Sequence, residues 1–120
     1  MADIPVLICV SGALKGQRFV VPDGGLDLGR ADENNIVICD DGVSRFHARI
    51  LYDNGQLWLQ DAGSRNGVFV DDHRVTGHKS LKVGHILRIA NHTFEVRWED
   101  ESKSQQSAEE SKRPWYWPFS

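Results

Sequence analysis

Hydrophobic and polar residues alternate in short runs along most of the chain, a pattern typical of β-strands. Segments rich in β-branched and aromatic residues recur between clusters of turn-forming residues. The strand-like segments are PVLICV, QRFVV, NIVIC, HARILY, QLWLQDA, VFV, ILRIA and TFEVRW. The clusters between them include SGALKG, PDGG, ADEN, DDG, DNG, GSRNG, DDHR and TGHKSLKVG. This pattern predicts an all-β fold, an antiparallel β-sandwich with ligand-binding loops at one end.

The clearest predicted hairpin has Asn54 and Gly55 at its turn. Asn-Gly tolerates the positive φ angles of a type I′ turn, which joins two antiparallel strands with two residues. Apolar residues on both sides of the turn repeat at every second position, as in Ile50 and Tyr52. This period of two indicates strands with one buried face.

Composition changes at Glu99 and divides the chain into three predicted parts. Residues 1–98 carry the strand pattern and are predicted to form the sandwich domain. Residues 99–114 are polar and contain too few apolar side chains to order themselves, so they predict a flexible linker. Residues 115–120 form an aromatic C-terminal segment.

The aromatic segment has three interpretations. Its large side chains are favoured anchors at protein interfaces, so it is a candidate docking segment for a second partner. It also has the composition to fold back over an apolar patch of its own domain, or to contact a membrane interface. We favour docking over folding back, and both over the membrane. The side chains concerned are Trp115, Tyr116, Trp117 and Phe119.

Charge and cysteine content exclude several classes of function. The net charge is −3, and residues 1–98 are nearly neutral, which gives no general electrostatic case for nucleic acid. Cys9 and Cys39 both lie in apolar runs and are predicted to be free core side chains. The chain shows no leader and no apolar run approaching about 18 residues, so we expect a soluble cytoplasmic protein.

Three polar loops carry the candidate chemistry. They are Leu28-Gly29-Arg30, the segment VSRFH at 43–47 and the segment GSRNG at 63–67. Together they supply three arginines, two serine hydroxyls, an asparagine amide and several glycines, with no carboxylate between them. Such donors suit a compact dianion, and a phosphorylated side chain carries about −1.5 to −2 charge and three acceptor oxygens.

Catalysis and metal binding are less consistent with these residues. A Ser44–His47 nucleophile would require an orienting group for the histidine and an oxyanion hole at the same place. The other histidines are scattered over turns and edges, and neither cysteine lies beside them. We therefore expect no enzyme activity, no metal and no cofactor.

The sequence LGR … VSRFHARI … GSRNGVFV resembles the forkhead-associated (FHA) domain over roughly residues 4–98. Each short motif is weak alone, but the three in this order between strand-like segments are specific. The resemblance implies a β-sandwich that binds phosphothreonine peptides through loops at one end.

The resemblance also implies roles for five residues. Arg30 would pair with the phosphate, and the hydroxyl of Ser44 would donate to a phosphate oxygen. Arg45 would contact the phosphate or the peptide, and Arg65 the phosphate or its neighbour. Asn66 would hold the peptide backbone beside the phosphothreonine.

Three further residues would support this site. His47 matches the histidine that braces the loops from beneath, and Gly29 and Gly67 match positions set by backbone geometry. Phe46 should either enter the core or flank the binding groove.

Two positions depart from the family pattern. Val68 replaces a common threonine after Asn-Gly, which should cost one hydrogen bond at a strand edge. VDDH at 70–73 replaces an Asn-Gly turn and is expected to place Asp71 and Asp72 near the binding end. Their negative charge would disfavour acidic peptides.

The resulting hypothesis is a phosphothreonine-dependent binding module that acts as a small adaptor or regulator in Ser/Thr kinase signalling. Its partner would be a phosphothreonine-containing protein, either a kinase or a kinase substrate. The only threonines, Thr76 and Thr93, lie inside the predicted sandwich, so the site should bind a partner and not its own tail. The alternative is a structural interaction domain with a vestigial phosphate site, working through its aromatic tail.

Overall fold

The computed structural model describes residues 3–100, which form eleven β-strands and no helix. No segment of this described range could therefore cross a membrane as a helix. The strands are β1 (Asp3–Ser11), β2 (Arg18–Val20), β3 (Leu26–Gly29), β4 (Ile36–Val37), β5 (Ala48–Asp53), β6 (Gln56–Asp61), β7 (Val68–Val70), β8 (His73–Arg74), β9 (His78–Leu81), β10 (Ile86–Ile89) and β11 (His92–Asp100).

The strands form two sheets, which confirms the predicted β-sandwich. The six-stranded sheet has the order β2-β1-β11-β10-β7-β8, and the five-stranded sheet has the order β4-β3-β5-β6-β9. The pairings are antiparallel except that of β3 with β4, where Leu28 pairs with Ile36. The longest pairing joins β1 to β11, from Asp3 opposite Asp100 to Ser11 opposite Thr93.

One cluster of buried aliphatic and aromatic side chains lies between the two sheets. Alternate residues of each long strand enter it, as the period-two pattern predicts: Ile50 of β5 and Leu57 and Leu59 of β6 are at most 1% exposed. Phe94 of β11 is the largest fully buried side chain and packs against Phe19 of β2. This core holds the strand ends, and hence the loops, in fixed relative positions.

Two tight turns reverse the chain at strand ends opposite to the three polar loops. Asn54 and Gly55 have φ angles of 52° and 75°, as a type I′ turn requires, and join β5 to β6. Asp71 and Asp72, with φ angles of 50° and 69°, join β7 to β8 in the same way. The three residues of β7 separate these aspartates from the third polar loop, so they lie one short strand away from it.

The structure corrects some details of the sequence interpretation. The clusters DDHR and TGHKSLKVG contain strands β8 and β9, because short edge strands need little hydrophobic sequence. Cys9 is buried, but Cys39 is exposed, since it follows the last buried residue of its segment, Ile38. Val68, which departs from the family pattern, is fully buried and pairs with Ile89 of β10, so its side chain belongs to the core.

Strand β11 continues for two residues past the domain boundary predicted at residue 98. Glu99 pairs with Ile4 of β1, and its carboxylate accepts hydrogen bonds from the guanidinium of Arg18. The rest of the predicted linker and the aromatic segment at 115–120 lie outside the described residues and stay predictions.

Candidate phosphopeptide-binding site

The three polar loops meet at one end of the sandwich. The first begins in the last two residues of β3, the second precedes β5, and the third connects β6 to β7. They surround a shallow pocket of about 340 Å³. Five side chains singled out from the sequence line this one pocket: Arg30, Ser44, Arg45, Arg65 and Asn66.

Arg30 is fixed at its base and open at its tip. Its main-chain N–H donates to the carbonyl of Ser44 at 2.9 Å, and its Nε donates to the carbonyl of Val43 at 3.0 Å. The side chain is exposed, and its two terminal nitrogens have no partner within residues 3–100. The guanidinium can therefore present its outer edge to an anion without losing the bond that orients it.

Gly29 allows the first two loops to approach each other. A Cβ at this position would lie 2.2 Å from the carbonyl oxygen of Arg45, a distance that no side chain tolerates. Asn34 fastens the same contact, because its Nδ2 donates to the carbonyls of Ala31 and Arg45 at 2.8 and 2.7 Å. The second loop is thus held directly against the end of β3.

Ser44 connects the second loop to the third. Its Oγ accepts a hydrogen bond from the main-chain N–H of Arg65 at 2.9 Å. A hydroxyl that accepts this bond still has its own proton to donate. Ser44 can therefore donate to an oxyanion in the pocket while it holds the third loop in place.

His47 lies beneath the pocket and is fully buried. Its Nδ1 accepts from the main-chain N–H of Ser44 at 3.0 Å, and its Nε2 lies 2.8 Å from the carbonyl oxygen of Gly67. An N–H can only donate and a carbonyl can only accept, so the imidazole is neutral with its proton on Nε2. One side chain thereby bonds to both loops, and both of its nitrogens are used in these bonds.

Asp61 shapes the third loop, a role that the sequence interpretation missed. Its Oδ1 accepts from the main-chain N–H groups of Gly63 and Ser64 at 2.9 and 2.7 Å, and its Oδ2 accepts from Ser64 Oγ at 3.0 Å. The Ser64 hydroxyl also accepts from Gly67 N–H at 3.1 Å. The pocket therefore has one serine hydroxyl to offer, that of Ser44, and not the two counted from the sequence. The spacing D-x-x-S was the available signal for this turn.

Asn66 and Phe46 complete the surface around the guanidinium groups. The Nδ2 of Asn66 donates to the carbonyl of Gly42 at 2.8 Å, which orients the amide at the pocket edge. Phe46 also lines the pocket and is 47% exposed, so it flanks the groove and does not enter the core. A peptide lying across the loops would meet both an amide and an apolar ring.

The charge of the pocket is positive although the chain as a whole is negative. Three guanidinium groups line it, from Arg30, Arg45 and Arg65, against the single carboxylate of Asp41. The full chain carries a formal net charge of −3. The attraction for an anion is thus local to this end and does not come from the charge of the whole chain.

The sequence gives no reason to distinguish His92 from the other scattered histidines. In the structure, His92 differs from His73, His78 and His85 because it is buried. His92 is only 5% exposed, and its Nε2 lies 2.7 Å from Oδ2 of Asp40. Two hydrogen bonds, from the main-chain N–H of Gly42 first and from His92 second, lower the pKa of the Asp40 carboxyl. No group of three or more His, Cys, Asp or Glu side chains suitable for a metal occurs in the part of the chain that the structure describes.

Comparison with known families agrees with this geometry. The FHA domain model matches residues 26–90, which include all three polar loops. The chain belongs to the FHA domain family. FhaB of Mycobacterium tuberculosis, an FHA domain-containing protein, is 33% identical over 91 residues. The match covers 76% of this chain and 59% of FhaB, so this chain spans less than two thirds of that relative.

Solved structures of FHA domains have the same fold. Mycobacterium tuberculosis EmbR in complex with a low affinity phosphopeptide superimposes with a TM-score of 0.74 at 27% identity, over 80% of this chain and 24% of EmbR. The FhaA FHA domain, complexed with the intracellular domain of Rv3910, gives a TM-score of 0.71 at 28% identity. That match covers 78% of this chain and 99% of the FhaA domain. EmbR is thus in complex with a phosphopeptide, and the FhaA FHA domain is in complex with a domain of a partner protein.

Proposed function

We propose that this FHA domain binds a phosphothreonine of a partner protein through Arg30, Ser44, Arg45, Arg65 and Asn66. The observation that carries the proposal is the convergence of these five side chains on one pocket from loops far apart in sequence. His47, Gly29 and Gly67 support the site through the contacts beneath it.

The chemistry of the pocket matches a phosphate monoester. Guanidinium groups pair with phosphate oxygens through two parallel N–H donors, and the Ser44 hydroxyl supplies a further donor. The amide of Asn66, oriented by its hydrogen bond to Gly42, would bond to the backbone beside the phosphorylated residue. Phe46 would contact an apolar side chain of the same peptide.

The partner would be a protein phosphorylated by a Ser/Thr kinase, or the kinase itself. Of the two threonines in the sequence, Thr76 is exposed in the short loop between β8 and β9, and Thr93 lies in β11 with its hydroxyl 2.6 Å from that of Ser11, so both are held in or between strands. The domain would therefore act in trans, as a small cytoplasmic adaptor or regulator of kinase signalling.

A peptide titration tests the proposal. A phosphothreonine peptide library is titrated against the wild type and Arg30→Ala, with unphosphorylated and phosphoserine peptides in parallel. A charge-assisted hydrogen bond contributes about 1.5–3 kcal/mol, so Arg30→Ala should weaken phosphopeptide binding by roughly tenfold to more than a hundredfold. Arg97→Ala is the matched control, because Arg97 is an exposed arginine on β11 that pairs with Glu95.

Phosphate-independent binding, or equal affinities for wild type and Arg30→Ala, would contradict the proposal. Such a result would favour the alternative of a structural interaction domain with a vestigial phosphate site. Turnover of the phosphopeptide during the titration would instead indicate a phosphatase, which we do not expect.

The aromatic segment of Trp115, Tyr116, Trp117 and Phe119 is proposed to dock on a second partner. Because β11 runs to Asp100, a truncation that removes residues 101–120 leaves the eleven strands of residues 3–100 complete. An unchanged melting temperature is expected if the segment docks on another protein. A lower melting temperature would show that it covers its own domain instead.

A further inference from the structure

Asp40 caps the turn at residues 40–43, and two carbonyl groups of this turn accept hydrogen bonds from side chains of the binding site. Its Oδ1 accepts from the main-chain N–H of Gly42 at 2.8 Å, and its own carbonyl accepts from the N–H of Val43 at 2.9 Å. Two carbonyls of the turn hold site residues: Gly42 O accepts from Asn66 Nδ2 at 2.8 Å, and Val43 O accepts from Arg30 Nε at 3.0 Å. Two of the five proposed ligand-binding side chains therefore take their orientation from this one turn.

His92 holds Asp40 from the other sheet. Its Nε2 lies 2.7 Å from Asp40 Oδ2, and its Nδ1 accepts from the main-chain N–H of Ala13 at 3.0 Å. Because Ala13 N–H can only donate, the Nδ1 carries no proton and the Nε2 donates to the carboxylate. Gly12 packs so tightly on the ring that a Cβ there would lie 2.3 Å from Nδ1. The imidazole is thus clamped between the β1–β2 loop and Asp40.

We propose that Asp40 and His92 are positioning residues of the phosphopeptide site, which hold the turn at residues 40–43 so that its carbonyls orient Arg30 and Asn66. The inference rests on the proposed function. It adds two residues that touch no ligand: neither side chain lines the pocket, and His92 is 5% exposed.

The arrangement requires a carboxylate at position 40. Both of its oxygens face donors, Gly42 N–H on one side and His92 Nε2–H on the other. In Asp40→Asn an NH₂ group must replace one of these acceptors, so a donor faces a donor in either amide orientation. The change leaves the size of the side chain almost unaltered and removes one bond that holds the turn.

Spectra of the free protein test the inference without any ligand. In ¹⁵N NMR, Asp40→Asn should shift the Asn66 side-chain amide and the Arg30 Nε–H and leave the Arg45 Nε–H in place. Asp53→Asn is the matched control, an exposed aspartate beside the turn at Asn54, and should shift none of the three. Unshifted Asn66 and Arg30 signals in Asp40→Asn would overturn the inference.

Two variants of His92, one with and one without a hydrogen-bond donor, test whether its bond to Asp40 positions the turn. His92→Gln keeps an amide donor that can reach Asp40 and should leave the Asn66 and Arg30 signals close to those of the wild type. His92→Leu has no donor and should reproduce the shifts of Asp40→Asn. If the two His92 variants give the same spectrum at the site, His92 acts only by filling space and its positioning role is refuted. His92→Leu also serves as the test of the turn should Asp40→Asn fail to fold.

Binding energies give a second, independent readout. Asp40→Asn should lower the affinity for a phosphothreonine peptide by roughly three- to tenfold, as expected for impaired hydrogen bonds. Combined with Asn66→Ala it should cost less than the sum of the two single changes, because Asp40 acts through Asn66. The binding free-energy changes of Asp40→Asn and Arg45→Ala should instead be additive. If Asp40→Asn is additive with Asn66→Ala as well as with Arg45→Ala, the inference is overturned. If the wild type binds no phosphopeptide, the proposed function fails, and the spectra still decide the role of Asp40.

Discussion

The two ends of the sandwich are closed by different means. At one end, two-residue turns join β5 to β6 and β7 to β8, and their four positive φ angles accomplish the reversal within the backbone. At the other end, a two-residue turn at Ala90-Asn91 also joins β10 to β11, but the three polar loops are held to each other by hydrogen bonds of buried or half-buried side chains. The side chains concerned are Asn34, Asp40, Ser44, His47, Asp61 and His92.

The difference follows from what each end presents to solvent. A two-residue turn leaves no room for converging side chains, so it fixes strand register and little else. Loops that present three guanidinium groups to one pocket repel each other electrostatically, and they need polar contacts beneath them to stay together. The ends should therefore respond to different substitutions, one to side-chain contacts and the other to backbone conformation.

The largest expected effect is that of His47→Ala. The change leaves Ser44 N–H and Gly67 C=O without their partner and opens a cavity beneath the pocket, which should lower the free energy of unfolding by roughly 3–5 kcal/mol. Denaturant unfolding measures the loss, and phosphopeptide binding should fall as a consequence. His73→Ala, at an exposed histidine of β8, should change stability by less than about 0.5 kcal/mol. Equal effects would remove the distinction between the ends.

Asp61→Ala should come next. It removes the acceptor of three hydrogen bonds within the third loop, and we expect a loss of about 1–2 kcal/mol, since the freed N–H groups can reach water. Phosphopeptide affinity should fall as well, because Arg65 and Asn66 follow this turn directly. Chemical denaturation and peptide titration measure the two effects. A loss of stability with unchanged affinity would show that the turn does not position the site.

Backbone substitutions test the opposite end. Asp72→Gly should raise the free energy of unfolding by about 0.5 kcal/mol, because its φ of 69° costs an L-residue and not glycine. The matched reverse change, Gly55→Ala at a φ of 75°, should lower it by about 1 kcal/mol. Thermal unfolding measures both changes, and neither should affect phosphopeptide binding. A loss of affinity in either variant would show that the two ends are coupled.

The smallest effect is a pH dependence at Asp40. Its carboxyl pKa is lowered below the usual 3.8, so its contribution to stability is present above that value and is lost as the pH falls through the pKa of the folded state. The stability difference between wild type and Asp40→Asn should hence stay constant above about pH 5 and shrink below pH 4. Urea unfolding between pH 3 and pH 7 measures it. A difference that grows on acidification would contradict the assignment.

Much of the fold could be predicted because its signals are local. The alternation in β5 and β6 and the turn at Asn54-Gly55 depend on neighbours in sequence, and both appear as expected. Strands β8 and β9 were not predicted because their residues are mostly exposed and polar, and only pairing with β7 and β6 makes them strands. The exposure of Cys39 depends in the same way on its surroundings and not on its apolar neighbours in sequence.

The candidate site was predictable where a residue belongs to a compact motif. Arg30, Ser44 and Asn66 stand in short patterns whose order indicated a shared anion site, and they line one pocket. Asp40 and His92 are 52 positions apart and belong to no motif, so nothing in the sequence connects them. The sequence alone suggests that the Ser64 hydroxyl can bind a ligand, because only the tertiary structure shows that this hydroxyl bonds to Asp61.

The sequence by itself determined the all-β architecture, the family and the residue types at the binding loops, because periodicity and short motifs are properties of neighbouring residues. Tertiary structure alone decided which side chains reach the pocket, which of them bond beneath it, and that Ser64 is not among the donors of the pocket. The physical reason is that these outcomes depend on distances between strands brought together by the buried core, and such distances are not encoded in local spacing.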